Sequence, residues 1–441
     1  MKLTAAVSIM LVSLGATVAR AQAPDRHHFG YLNVVVIFQE NRSPDNLFGS
    51  NPNFSPGVDI ATSGVNSQGQ QIPLTPVPLA NDYDLSHAHS AFVAMYDSGK
   101  MDGANKIPIY CNKGAPNCPP PNPQFSYVDN STGILDPYFQ LAEQFTFADR
   151  MFQTNQGPSF PAHQFIISGT SAPSADSDLF VAENPAGVAN AGTNTGCTAP
   201  SSEYVRLIDP NGGETQTMYP CFEHPTLVDL LDNAGISWRY YAPSAGSIWT
   251  GPNAIEHLRF GSDWANDVVL NPPQVLTDIA NGQLANVSWV IPTGQESDHA
   301  GVNKGLGPSW VASIVNAIGQ SQYWDNTVIL IAWDDWGGWY DHVAPNVVNS
   351  YEYGFRVPLI VVSPFAKQGY VSHVTHDFGS ILHFIETVYK LPSLGYADQY
   401  ADDLSDCFDF HRHNQFKKIP ARYDGKYFLN DKTPPTDPDD D

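Results

Sequence analysis

Hard oxygen donors stand just beyond apolar runs at several distant places in this sequence. Glu40-Asn41-Arg42-Ser43 follows the run from Asn33 to Phe38, and Asp334-Asp335 follows the run from Thr327 to Trp333. Glu40, Asn41, Asp334 and Asp335 are the donor types that hold calcium, magnesium or manganese, and carboxylates accept zinc as well. Adjacent carboxylates point apart on a regular strand. Where the backbone turns at a strand end, Asp334 and Asp335 can face one cation, or one can orient a neighbouring donor. An Asp ahead of Gly337-Gly338 is also a common turn residue, so the pair acquires chemical meaning only in company.

A nucleophile stands in Gly157-Pro158-Ser159-Phe160-Pro161-Ala162-His163, where Ser159 follows a turn and opens a helix-compatible stretch. Amides at a helix start attract phosphate, and a serine beside a metal can lose its proton and attack phosphorus. The same serine read alone is an N-cap. Histidines supply what remains, a proton for the leaving oxygen and donors for the phosphoryl group. His87 and His89 in Asp84-Leu85-Ser86-His87-Ala88-His89, His299 after Asp298, and His342 after Asp341 are the clustered candidates, with His87 and His299 foremost.

The elements that must position these groups are legible as runs rich in Val and Ile: Asn33 to Phe38, Thr327 to Trp333, Val357 to Val362 and, more weakly, Val287 to Ile291. They read as buried, parallel strands. Helical stretches lie between and after them, at Pro137 to Gln144, Thr226 to Ala234, Pro308 to Gly319 and Asp377 to Tyr389, the last with Phe378, Ile381, Leu382 and Ile385 on one face. Strands alternating with helices imply an α/β fold, a largely parallel central sheet covered on both faces. Functional groups in such sheets gather past the carboxyl ends of the strands, which is where the donors stand. Polar stretches rich in Pro and Gly at 50–80, 103–126 and 183–220 read as long loop insertions.

Lys2, the apolar run Leu3 to about Val18 and the small residues Ala19 and Ala21 form a secretory signal peptide, predicted to be cut after Ala21. The expected organisation is therefore a signal peptide at 1–21, one enzymatic domain at 22–432 and an acidic, disordered tail at 433–441. The mature chain carries no integral membrane segment by this reading and is secreted or periplasmic. The formal charge of −24 becomes more negative once Lys2 and Arg20 leave, which argues against nucleic-acid binding and against anionic membrane surfaces. Five cysteines in an exported chain suggest disulfides, with Cys111 and Cys118 forming one short loop, Cys197 and Cys221 a second, and Cys407 left over.

The motifs taken together resemble the phosphoesterase family that groups bacterial phospholipases C with metal-dependent acid phosphatases, a branch of the alkaline-phosphatase-like superfamily. The resemblance rests on VVVIFQENRSPDNLFG, MFQTNQGPSFPAHQFIISGTS, ESDHA, VILIAWDDWGGWYDHV, GFRVPLIVVSPFA and THDFGSILHFIE, in that order over about residues 33 to 390. It implies an alkaline-phosphatase-like fold and one divalent ion (calcium, magnesium, manganese or zinc) held by Glu40, Asn41, Asp334, Asp335 and the nucleophile Ser159. Asp335 is the safer ligand of its pair. His87 and His299 are implied to contact the phosphoryl group or leaving oxygen, and a further histidine is expected between Ser159 and Asp298, either His224 or His257. Serine at the nucleophile leans toward the phosphatase side of the family. Pro44 and Asn46 depart from its aromatic-Asp-His turn, which puts packing near Glu40 in question.

The activity implied is hydrolysis of a phosphate ester, either a small phosphomonoester or the headgroup bond of a phospholipid. Sulfatase or phosphonate chemistry is the nearest enzymatic alternative, but Cys/Ser-x-Pro-x-Arg lacks its arginine here. An inactive extracellular binding protein is the alternative from another class, and the presence of every implied ligand opposes it.

Overall fold

The computed structural model describes residues 32–189 and 191–435. The expected signal peptide and most of the expected acidic tail lie outside them. Continuous burial of apolar runs generates the centre of the fold: β1 (Asn33–Gln39) is buried at every position, as are β6 (Thr327–Trp333) and β7 (Leu359–Val362). The remaining strands of the main sheet are β2 (Thr146–Ala148), β3 (Trp238–Tyr241), β4 (Val268–Val269), β5 (Val287–Val290) and β8 (Tyr370–Ser372). Their spatial order is β4-β3-β5-β1-β6-β7-β2-β8.

From β4 to β6 the strands are parallel, with Val34 of β1 beside Val287 of β5 and Val328 of β6. The Val- and Ile-rich run at β7 leads one to expect another parallel strand, but it runs antiparallel to both β6 and β2. A parallel neighbour needs a crossover back to the strand's start. The chain after Trp333 instead stays at the carboxyl end of β6, where it builds a loop containing Trp336, Trp339 and Tyr340, and then re-enters the sheet from that end. The sheet is mixed, and largely parallel.

Helices cover both faces, as alternation along two registered strands shows. Phe38 meets Phe378 of α6 (Phe378–Tyr389) edge to face. Its registered neighbour is Ala332, so the next residue, Trp333, points to the opposite face, where it meets Tyr138 of α2 (Asp136–Gln144). The other helices of eight residues or more among the described residues are α1 (His89–Tyr96), α3 (Ser159–Ser168), α4 (Leu227–Ala234) and α5 (Gly307–Gly319). Thr226 closes a capping box with Asp229 at the start of α4, and Asp377 one with Ser380 at the start of α6.

The long insertions carry small sheets of their own, such as Ser63–Val65 with Gln71–Pro73 and Phe180–Val181, Val205–Ile208 and Gln216–Met218. Disulfides join Cys111 to Cys118 and Cys197 to Cys221, while Cys407 is free and buried. Trp336, Trp339 and Tyr340 pack with Phe92 and Phe355 in a second apolar cluster, so these aromatics are core rather than a surface rim. No helix among the described residues is long and apolar enough to cross a membrane.

Candidate active site

β1 and β6 are in register through Gln39 and Trp333, and Asp334 N donates to Gln39 O at 3.0 Å. Glu40-Asn41 and Asp334-Asp335 therefore leave the sheet side by side. Asn41 turns into the left-handed region (φ 62°), which asparagine tolerates, and its N–H donates to Asp334 Oδ1 at 3.2 Å. A β-carbon at Gly337 would come within 2.3 Å of Asn41 O, so this close approach demands glycine. Gly337 N in turn donates to Asp335 Oδ1 at 2.7 Å, leaving Oδ2 directed at Ser159.

Helix α3 supplies Ser159, the candidate nucleophile. Pro158 is its N-cap and Ser159 its first residue, with Ser159 Oγ donating to Asp335 Oδ2 at 3.3 Å. The helix start offers few amides to a phosphate, because Phe160 N donates to Asn184 Oδ1 and Pro161 has no N–H. One turn on, His163 lies on the same helix face as Ser159. Its Nε2 is 3.4 Å from Glu40 Oε1 and 3.9 Å from Asp334 Oδ2. His87 Nε2 is 3.9 Å from Asp335 Oδ2 and 3.0 Å from the Asn41 amide nitrogen. Both His87 and His299 direct Nδ1 at backbone carbonyls, of Leu85 at 2.9 Å and Ala300 at 2.7 Å, which fixes the ring orientations.

All of these side chains are buried. Burial pulls the His163 pKa down to about 3 and holds the Asp334 carboxyl above its usual range. His163 Nε2 and Asp334 Oδ2 make no hydrogen bond. Buried acceptors that converge without a proton between them repel, and a cation among them reverses the sign. The Asn41 amide lies between the carboxylates and the histidines. With its nitrogen toward His87, its oxygen faces Asp334 and Glu40; turned over, it would donate to Asp334 Oδ1 at 3.0 Å and Glu40 Oε2 at 3.3 Å and accept from His87 and His299. The second orientation satisfies both ends of the amide. The donor set thus fits a divalent ion, with Glu40, Asn41 and Asp334 around it and Asp335 adjoining Ser159.

The histidines proposed between Ser159 and Asp298 are elsewhere. His257 pairs with Glu223 at 2.7 Å and Asp229 at 3.0 Å near the surface, and His224 bonds the carbonyl of Pro225 and packs on Tyr396. The histidine that joins the cluster is His163, four residues after Ser159 and therefore detectable by helical spacing. It occupies the position where the sulfatase pattern has arginine. His89 pairs with Glu214 at 2.6 Å. His342 bridges Asp45 and Asp59 at 2.8 and 2.9 Å, in a network with buried Arg356 and Asp341. Among the departures from the family's turn, Pro44 starts a short helix capped by Ser43, and Asn46 Oδ1 accepts from Arg42 at 3.1 Å. Arg42 also donates to Asp298 O at 2.9 and 2.7 Å, so Asn46 helps brace the segment carrying His299. The Asp298 carboxyl, lifted to about 6 by burial, is anchored by Tyr138 and Trp333.

The model of the Phosphoesterase family matches residues 31–392, an interval that contains every one of these site residues. The chain belongs to that family. It is similar to phospholipase C B of Mycobacterium tuberculosis, 23% identical over 86% of this chain and 77% of that protein. Non-hemolytic phospholipase C of Pseudomonas aeruginosa is 23% identical over 95% of this chain, which spans 63% of the relative's length. Non-specific phospholipase C4 of Arabidopsis thaliana is 22% identical over 81% of this chain and 68% of its own. Among solved structures, a protein of the alkaline phosphatase superfamily from Vibrio parahaemolyticus aligns over 85% of this chain and 71% of its own, with a TM-score of 0.38 and 10% identity. This phosphoesterase is a hydrolase acting on phosphoester bonds, built on an α/β fold.

Proposed function

We propose that this phosphoesterase is exported and hydrolyses phosphate esters by a metal-dependent double displacement through Ser159, as an acid phosphatase or a phospholipase C. The observation that carries the reading is the meeting of Ser159 Oγ with Asp335 at 3.3 Å beside the Glu40, Asn41 and Asp334 donors. A bound divalent ion would lower the pKa of the serine hydroxyl and neutralise charge on the phosphoryl oxygens. Glu40, Asn41, Asp334 and Asp335 are the groups that would hold it, with Ser159.

Ser159 Oγ passes its proton to Asp335 Oδ2, its partner at 3.3 Å, and forms a bond to phosphorus as the ester P–O bond breaks, and the departing alkoxide takes a proton. His299 is the proposed donor and His87 the proposed phosphoryl contact. Both are within reach of the Asn41 amide, their Nε2 atoms 3.1 and 3.0 Å from it. Water then cleaves the phosphoserine, giving one proton to the histidine, while the proton held by Asp335 returns to Ser159. We assign the enzyme to one domain over 22–432 and its location to the periplasm or the exterior, in line with the signal peptide read from the sequence.

The deciding assay compares p-nitrophenyl phosphate with p-nitrophenylphosphorylcholine for the metal-replete protein. A large excess of the first identifies a phosphomonoesterase, and of the second a phospholipase C. Hydrolysis of neither, with binding retained, rejects the enzymatic reading of this site.

A further inference from the structure

We infer that His163 Nε2 is itself a ligand of the metal, making a mixed nitrogen and oxygen site that selects a zinc-class ion over calcium or magnesium. The inference rests on the metal-dependent reading above and goes further by fixing the donor set and hence the ion.

The tautomer of His163 is set by its neighbours. Tyr240 Oη gives its proton to the carbonyl of Trp249 at 2.9 Å. Gly251 N donates to that hydroxyl at 3.4 Å, and its contact with His163 Nδ1 at 3.3 Å is attractive when Nδ1 carries the hydrogen and Oη accepts it. Nε2 is then the bare nitrogen, with its lone pair in the ring plane. It makes no hydrogen bond, is fully buried, and faces Glu40 Oε1 at 3.4 Å and Asp334 Oδ2 at 3.9 Å. One ligand atom from each of these three residues lies within 4.8 Å of the others. A lone pair aimed at two buried carboxylates is repulsive.

A cation between them turns three repulsions into three bonds. The hydrogen bond from Nδ1 to Tyr240 is the kind of outer contact that orients a ligating imidazole. α3 adds a geometric reason, because Ser159 and His163 are one turn apart on it. One rigid helix thus delivers the nucleophile and a nitrogen donor to the same ion. Carboxylate and amide oxygens alone suit calcium, magnesium or manganese, whereas an imidazole nitrogen among them moves preference toward zinc or iron.

The test uses the full chain, stripped with a chelator and reloaded with zinc alone. Zinc-edge X-ray absorption should show imidazole scattering in the wild type that disappears in His163→Gln. Calorimetric zinc affinity should fall about tenfold or more in that variant, with calcium and magnesium affinity little changed. Zinc bound by oxygen donors only, or imidazole scattering that persists in His163→Gln, overturns the inference and leaves the metal-dependent reading standing. Failure of the wild type to bind any divalent ion overturns both. Should His163→Gln fail to fold, His87→Gln and His299→Gln decide: retention of the imidazole signal in both assigns it to His163, and its loss in either reassigns the ligand and overturns the inference.

Discussion

Ser159 Oγ and Asp335 Oδ2 are 176 residues apart in sequence and 3.3 Å apart in the fold. The contact joins the first turn of α3 to the carboxyl end of β6. A hydroxyl donating to a carboxylate is held in place and oriented, and Asp335 is in turn fixed by Gly337 N.

Removing this carboxylate should stop turnover without unfolding the protein, since Asp335 makes its contacts within the site. Asp335→Ala is expected to keep the wild-type circular dichroism spectrum and lose several orders of magnitude in kcat/KM. Chelation of the wild type should have a similar effect, restored by added divalent ion. Near wild-type turnover by the variant in chelator-treated buffer would refute the metal mechanism.

Ser159 should carry phosphate during turnover. Ser159→Ala is expected to lose activity on the scale of a removed nucleophile, and acid quench followed by mass spectrometry should place the phosphoryl group on Ser159. Label on Thr154 or Thr170, both buried nearby in the chain, or activity retained by the alanine variant, would assign the nucleophile elsewhere.

Proton donation by His299 is separable from phosphoryl binding. His299→Ala should slow esters with poor leaving groups far more than p-nitrophenyl esters, whose phenolate departs with little protonation. Equal losses on the two substrate types would mean that His299 binds the phosphoryl group, with the acid then sought at His87.

His342 links stability to pH. Despite burial, hydrogen bonding and charge from Asp45 and Asp341 raise its pKa from 6.5 to about 9. A histidine raised on folding contributes stability that is fully present below 6.5 and lost as pH rises through 9. His257, raised to about 9 by Asp229 and Glu223, acts in the same window. The wild type should therefore melt at lower temperature at pH 9 than at pH 6.5, and His342→Asn should be less stable at pH 6.5 with a smaller drop between the two. An unchanged pH dependence in the variant would show that His342 contributes nothing to the linkage.

Buried Arg356 bonds Asp341 through Nε at 2.9 Å and Asp45 through Nη2 at 3.2 Å. Arg356→Met leaves Asp341 buried without its cation and Asp45 with His342 alone, and should cost about 3–5 kcal/mol of stability in denaturant titration. A loss within about 0.5 kcal/mol, typical of a surface change, would mean that the network is solvated in solution.

Local chemistry made much of this protein readable in one dimension. Asn33 to Phe38 and Thr327 to Trp333 are strands wherever they are buried, because continuous β-branched runs have few other ways to leave water. The groups that follow them, Glu40-Asn41 and Asp334-Asp335, had to emerge at one end of a parallel sheet, and the cysteine pairs were close enough in sequence to suggest their partners. Strands of two to four residues, such as Thr146–Ala148 and Val268–Val269, carry too little pattern to be seen before their neighbours are known. The direction of β7 depended on where the loop after Trp333 lay. The last histidine of the site was decided the same way. His163, His224 and His257 are the same residue type after the same serine, and what distinguishes them is whether neighbouring side chains are Glu40 and Asp334 or Glu223 and Asp229. Helical spacing puts His163 on the same face as Ser159, but the meeting of that face with Glu40 and Asp334 is a matter of distance across the packed sheet, which spacing along the chain does not encode.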